Sequence, residues 1–441
     1  MRFYNREQEM EVLKTMMGQA YDGHSKFTVV TGRRRIGKTS LIKRAMDGEE
    51  FIYLFVGRKN EGTLCEGYVK EIAVKLGVFV PKMSAFADVF RFLMEQGTSR
   101  RFTVVIDEFQ EFLNINPSVY SDMQDIWDDY RTRTNVNLIV SGSVYSLMVR
   151  LFQDKKEPLF GRADRILKLK AFTTSVLKEI MRDNHPGYTN DDLLALYAFT
   201  GGVPKYVELL VDNKALTVDQ MIGFICHPDS PFKEEGKTLL IEEFGKKYAT
   251  YFSILDAIAA GRNTQAEIEA TIGEKSVGGH LAKLETVYEV VNKMRPIMSK
   301  PGSQAVKFEI NDIFLKFWFR YFEGNRPLLE IGNYKELNRI VKEDYSTYSG
   351  KVLESYFIEK MKESQEYREI GSYWEFKKDK EQNEIDIIAI GVDRKTARVV
   401  EVKRQKKNFD ESDFMQKVAH VKNKILGRYT IKTDCLTLED M

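Results

Sequence analysis

The segment Phe27–Met46, FTVVTGRRRIGKTSLIKRAM, constrains this chain more than any other stretch of it. Phe27–Val30 is a short apolar run of the kind a buried parallel strand shows, and Ser40–Met46 continues with helical spacing. Between them Gly32–Thr39 fits G-x-x-x-x-G-K-[ST]. In that order Gly32 and Gly37 let the backbone curl round phosphate oxygens, so that loop amides and the helix N-terminus point at the anion. Lys38 then reaches the β- and γ-phosphates, and the Thr39 hydroxyl is a ligand for Mg2+. The expected nucleotide contacts are Gly32, Arg33, Arg34, Arg35, Ile36, Gly37, Lys38, Thr39 and Ser40, with ATP and Mg2+ as cofactors. A plain glycine turn between strand and helix is the alternative.

A matching second half follows. Arg101–Asp107 is an apolar strand that ends in two carboxylates, Asp107 and Glu108. At a strand tip Asp107 holds the magnesium shell, while Glu108 orients or deprotonates the attacking water. A further strand, Val136–Val140, ends in Ser141-Gly142-Ser143, where a serine either senses the γ-phosphate or caps a loop.

The order Asn5-Arg6-Glu7, GRRRIGKT, IDEFQ, SGS, Phe160-Gly161-Arg162 and Gly201-Gly202-Val203-Pro204 resembles the archaeal-type ATPases of the STAND branch of AAA+ proteins, over residues 1–235. The resemblance implies a five-stranded parallel sheet with the P-loop on a central strand, followed by a small helical lid. It also implies that Arg6 and Pro204 flank the adenine. Arg162 becomes the arginine that senses or stabilises the γ-phosphate, in cis or from a neighbouring subunit of a homo-oligomer. The plainer alternatives are a surface arginine at Arg162 and a helix-to-helix turn at Gly201–Pro204.

After an ATPase core of residues 1–171, helical spacing over 172–246 is expected to form the lid. Residues 247–325 change character. Tyr251–Ala260, Thr264–Ile272 with Thr264 as N-cap, and Ser276–Thr286 read as helices. Tyr288–Met294 and Ala305–Ile310 read as strands joined by a turn at 296–302. Three helices and a two-stranded wing is the winged helix-turn-helix order. The third helix offers His280 and Lys283 but no arginine, which leaves weak DNA contact and protein packing both open. The aromatic run Ile313–Phe322 belongs to a core or domain interface.

In residues 326–441 the pattern resets to a small α/β unit. Tyr345–Ser364 reads as a helix carrying Glu354, and Tyr367–Phe376 with Glu384–Ile390 as a hairpin. Ala397–Val402 is a third strand, Asp413–Leu426 a helix and Arg428–Lys432 a last strand. Asp386 lies in the hairpin's second strand, and Glu401 and Lys403 share a face at the end of the third. Glu354, Asp386 and Glu401 are expected to surround one or two Mg2+ ions through oxygen. Lys403 would orient or activate the water that attacks a phosphodiester. An isolated E-x-K means little. Helix acid, strand acid and strand E-x-K in this order resemble the PD-(D/E)xK nuclease fold, the restriction-endonuclease-like and archaeal Holliday-junction-resolvase group, across residues 344–432. The hairpin acid lacks a preceding proline, so Glu384 competes with Asp386.

Charge fits this reading locally rather than globally. The 67 Lys and Arg nearly cancel the 65 Asp and Glu, leaving a net +2. Between Arg394 and Arg428, however, eleven basic residues face four acids, a plausible surface for a DNA backbone. Cys65, Cys226 and Cys435 form no CxxC pair, which fits a reducing compartment. The N-terminus has no apolar signal core, and no apolar run is long enough to span a bilayer. The expectation is a cytoplasmic, multidomain α/β protein with no membrane partner. It joins a P-loop NTPase parallel sheet with helical lid, a winged helix-turn-helix and a small nuclease-like α/β domain. ATP would set the domain arrangement and DNA would be substrate or partner. The rival expectation is an ATP-driven switch or scaffold whose last domain binds a protein and cuts nothing.

Overall fold

The structure, a computed structural model, describes residues 1–245, 248–274, 276–300, 302–303, 305–377 and 380–441. The chain forms two compact units: Tyr4–Lys170, and Ala171–Met441 together with Met1–Phe3. The expected boundary between residues 246 and 247 falls outside the described residues.

In the first unit β1 (Lys26–Thr31), β2 (Phe51–Phe55), β3 (Arg101–Asp107), β4 (Asn135–Ser141) and β5 (Arg165–Lys168) make one sheet in the order β2-β3-β4-β1-β5. Every neighbouring pair is parallel. After its first residue each of β1, β3 and β4 is buried throughout, as parallel strands covered on both faces are. Phe27 of β1 meets Trp127 and Phe152 edge-on at 5.3 and 5.6 Å between ring centroids. Helix α1 (Glu7–Asp22) packs on β1, β3 and β4 and against α2 (Lys38–Ala45), the helix that follows β1. Because the strands are parallel, the loop after β1 and the tip of β3 open on the same edge, with β4 between them.

The second unit begins with helices, among them α3 (Asn190–Thr200), α4 (Pro204–Asp212) and α5 (Phe232–Phe244). Then come α6 (Tyr248–Ala259), α7 (Gln265–Ile272) and α8 (Gly278–Thr286), followed by an antiparallel ribbon of β6 (Val291–Met294) and β7 (Lys307–Ile310). Thr264 caps α7 in a reciprocal box with Glu267, satisfying amides that a helix start leaves open. The aromatic run forms α9 (Ile313–Tyr321), and Phe314 and Phe317 are fully buried. Phe314 lies 4.3 Å from Tyr206 and Phe317 lies 5.0 Å from Phe199, centroid to centroid. These rings are core.

The long helix α10 spans Tyr334–Ser364, so it starts well before the expected Tyr345. The extra turns are largely polar and were invisible to an apolar-period reading, but Asn333 caps them through the Glu336 amide. A four-stranded mixed sheet follows: β8 (Tyr367–Lys377), β9 (Lys380–Gly391), β10 (Thr396–Val402) and β11 (Thr430–Leu436), in the order β11-β10-β9-β8. β8, β9 and β10 run antiparallel, while β10 and β11 are parallel. The parallel pair needs a crossover, which α11 (Glu411–Val421) supplies. Ile385, Ile388, Val399, Phe414 and Val421 form its core, joined by Ile297 from the loop between β6 and β7. Among the described residues no helix is long and apolar enough to cross a membrane.

Candidate functional site

The loop between β1 and α2 turns through left-handed backbone at Gly32, Arg35 and Gly37, with φ of 143°, 69° and 89°. That curl brings Lys38, the first residue of α2, back over the loop. Its buried ammonium donates to the carbonyl oxygens of Gly32 at 2.9 Å and Arg33 at 3.0 Å. Ile36 is buried, Arg33 and Arg34 are half-buried, and Arg35 and Ser40 are exposed.

Asp107 sits at the tip of β3, 4% exposed, with donors from both neighbouring strands. Its Oδ2 accepts from Thr39 Oγ1 at 2.9 Å and from the Tyr53 hydroxyl of β2 at 2.5 Å. Its Oδ1 accepts from the Glu108 amide at 3.0 Å and from Ser141 Oγ at the end of β4. Burial, and then the Asp107 carboxylate itself, push the Tyr53 hydroxyl well above the usual tyrosine range, so it stays a donor. Glu108 takes the left-handed conformation at φ 55°. Its Oε2 accepts from Gln110 Nε2 at 2.6 Å and Ser143 Oγ at 2.7 Å. Gly142, between the two serines, has no room for a side chain: a Cβ there would run into Gln110 Oε1 and Met148 Sδ. The two serines therefore fix the two acids, a role the sequence had not offered for them. The Thr39–Asp107 oxygen pair beside a buried lysine fits a nucleotide phosphate with Mg2+.

Arg6 is buried as the N-cap of α1, at φ 87°, and donates to Glu9 at 3.0 Å and to the Lys170 carbonyl at 2.6 Å. Arg162 donates to Asp128 at 2.9 Å and to the Phe160 carbonyl at 3.0 Å. Pro204 opens α4 in the other unit.

The second constellation lies in the C-terminal sheet. β9 and β10 pair antiparallel up to Val400 opposite Ile387, and one step further the register sets Glu401 beside Asp386. Lys403 Nζ donates to Glu401 Oε1 at 2.7 Å and stands 3.9 Å from Asp386 Oδ2. The Val402 amide donates to Asp386 at 2.7 Å. Burial, then Asp386 and Glu384, raise the Glu354 carboxyl above the carboxylate range. Burial, then Glu401, do the same to Asp386. Burial alone works against the charge on Lys403, but the Glu401 hydrogen bond and the three acids together hold it on. The structure thus brings Glu354, Asp386, Glu401 and Lys403 into one electrostatic cluster, with the exposed Glu384 at its margin. Glu401 Oε2 is buried with no hydrogen-bond partner among the described residues. All-oxygen donors and an orphaned carboxylate oxygen fit a hard divalent cation. As they stand, no group of three or more His, Cys, Asp or Glu among the described residues is arranged to hold a metal ion.

Two acid partners were not legible. Tyr53 reads as one apolar strand residue among others, and Gln110 as a helix residue. Only the strand order, which puts β2 beside β3, would have pointed to Tyr53.

A parallel sheet in this order, with a P-loop after β1 and an acid pair at the tip of β3, defines a P-loop ATPase. Residues 3–210 match a family described as an ATPase domain predominantly from Archaea. Residues 318–416 match a second family, described as archaeal and bacterial proteins of unknown function. The chain is 30% identical over 410 residues to the uncharacterized protein MJECL04 of Methanocaldococcus jannaschii, covering 91% of this chain and 87% of the other, and it belongs to that protein's family. Two solved structures share the fold. The Walker-type ATPase of Pyrococcus abyssi has a TM-score of 0.53 at 18% identity, over 72% of this chain and 96% of its own. The Aeropyrum pernix ORC2 protein, in ADPNP–ADP complexes, has a TM-score of 0.50 at 15% identity, over 75% and 95%.

Proposed function

We propose that this chain hydrolyses ATP at the tip of β3, and that its nucleotide state governs a C-terminal site acting on the phosphodiester backbone of DNA. In this reading the nucleotide phosphates lie on the loop amides, and Lys38 exchanges the Gly32 and Arg33 carbonyls for phosphate oxygens. Thr39 and Asp107 would hold Mg2+, which when bound would supply positive charge against the phosphates. Glu108, steadied by Ser143 and Gln110, orients the attacking water and takes its proton. Arg6 lies on the adenine side of the cradle, and Arg162 answers the γ-phosphate in its own chain or in a neighbouring copy. The division into a core of 1–171, a lid of 172–246, a winged helix of 247–325 and a nuclease-like domain of 326–441 is part of the proposal.

For the C-terminal site the carrying observation is the Lys403 ammonium, 2.7 Å from Glu401 and 3.9 Å from Asp386 across two strands. Glu354, Asp386 and Glu401 would hold Mg2+, which draws charge off the scissile phosphate. Lys403 would release Glu401, then orient the attacking water. Exposed Lys406 and Lys407, a few residues past the end of β10, offer backbone contacts beside it. Labelled linear, branched and single-stranded DNA, incubated with Mg2+ or Mn2+ and with or without ATP, tests this. Cleavage is expected to fall by about a hundredfold or more in Asp386→Ala and Lys403→Ala, with ATP hydrolysis unchanged. No cleavage of any of these DNAs would overturn it.

A second reading, a switch whose last domain binds a protein and cuts nothing, is favoured by the ribbon. Ile297, in the segment after β6, is in the C-terminal core, and its amide donates to the Ser372 carbonyl at 2.9 Å. Lys307 stands 4.6 Å above the Trp374 ring, and His280 of α8 packs on Tyr251 at 5.3 Å. Among the described residues those contacts leave Lys283 as the basic side chain of α8 without a ring or ion-pair contact, which suits weak, sequence-independent binding.

A further inference from the structure

Arg404, next to Lys403, plays no part in the chemistry proposed above, yet it is among the most heavily engaged side chains of this unit. One guanidinium nitrogen forks onto both carboxylate oxygens of Asp191, at 3.0 and 2.9 Å. Another donates to Ser349 Oγ. The guanidinium lies 5.3 Å from the centre of the Tyr345 ring, and the Tyr345 hydroxyl returns to Asp191 at 2.8 Å.

These contacts join three elements at one point. Arg404 leaves the end of β10, the strand that carries Glu401 and leads to Lys403. Ser349 and Tyr345 lie on α10, the helix that carries Glu354, and Ser349 is fully buried. Asp191 lies in the first turn of α3, the helix that ends at the Gly201-Gly202 turn. The acid–lysine cluster depends on a strand end and a helix keeping their relative position, and among the described residues neither Asp386 nor Lys403 is hydrogen-bonded to that helix. A planar guanidinium that is forked, stacked and largely buried holds such an alignment within narrow limits, and a lysine ammonium does not reproduce it.

We propose that Arg404 is a positioning residue of the acid–lysine site, and that Asp191 is the anchor through which the helical segment of α3 sets the geometry of that site. The proposal rests on the reading of Glu354, Asp386 and Glu401 as divalent-cation ligands. A shift of α3 would then be felt as a change in cation affinity rather than as unfolding.

The test uses the full chain, free of nucleotide, with Mn2+ as probe. Binding is followed by electron paramagnetic resonance and calorimetry, and thermal melting is followed in parallel. Wild type should bind Mn2+ and Glu401→Gln should not. Arg404→Lys and Asp191→Asn should each weaken binding by about tenfold or more, as outer partners of metal ligands do. A residue that merely supports the fold would lower the melting temperature and leave the Mn2+ affinity of the folded protein where it was. If Arg404→Lys folds poorly, the near-isosteric Asp191→Asn decides. Wild-type Mn2+ affinity in Arg404→Lys and Asp191→Asn, with binding lost in Glu401→Gln, overturns the positioning role alone. If wild type and Glu401→Gln both fail to bind, the ligand reading has failed and the positioning role goes with it.

Discussion

Asp107 accepts hydrogen bonds from four donors, drawn from α2, β2, β4 and its own neighbour. A buried carboxylate so satisfied cannot wander, and its position is fixed before any ligand arrives. Glu108 is held more lightly, by Ser143 and Gln110 on one oxygen, which leaves the other able to meet water. Ser143→Ala should therefore leave the ATP dissociation constant unchanged and slow hydrolysis by about tenfold, the cost of one hydrogen bond to a charged group. Parallel titration and turnover measurements check it. At this scale the motif residues were legible, because glycine, lysine and threonine are fixed in spacing by the shape of a phosphate. Their supports were not. Tyr53 and Ser143 meet the acids through strand order, and Arg404 meets α3 and α10 through a long side chain, and neither leaves a periodic trace.

Elements were read best where local chemistry decides them. Thr264 announces the start of α7 in the sequence, and the structure closes a capping box between it and Glu267. Strand ends were read less well: β11 runs on to Leu436 because it follows β10 in register, although Thr433-Asp434-Cys435 carries no apolar alternation. The first turns of α10 leave little apolar period for a similar reason, since tertiary contacts hold them. One of these is Asp344, which takes both oxygens to Arg320 of α9, at 2.6 and 2.7 Å, and accepts from the Tyr321 hydroxyl at 2.7 Å. The Arg320 hydrogen bonds hold its carboxyl below the usual aspartate range. A depressed folded-state value means stability that is present above the unfolded value, about 3.9, and lost as the pH falls through the folded one. Asp344→Asn should cost about 1 kcal/mol at neutral pH, a figure reduced for the pair's partial exposure. The difference from wild type should vanish under strongly acid conditions. Denaturant melts of the two proteins across that range measure it.

On the scale of the whole molecule, two sites of different chemistry share one chain: a phosphate cradle in the first unit and an acid–lysine cluster in the second. The cradle's class is established by fold and family, and the second site's activity rests on its own geometry. Arg162 bears on assembly. Its ion pair with Asp128 is exposed enough to be worth at most about 1 kcal/mol, so it does not hold the arginine back from a phosphate. If Arg162 serves a neighbouring copy, ATP turnover per molecule should rise with protein concentration in wild type and stay flat in Arg162→Ala. A flat wild-type profile removes the assembly role. The account as a whole stands on Asp107 and Glu108 dividing the work at the tip of β3, and the most direct test is ATP binding and turnover in Glu108→Gln beside Lys38→Ala. Lys38→Ala should lose tight ATP binding. Glu108→Gln should bind ATP as wild type does and turn it over about a hundredfold more slowly or worse. Equal turnover in wild type and Glu108→Gln would contradict it.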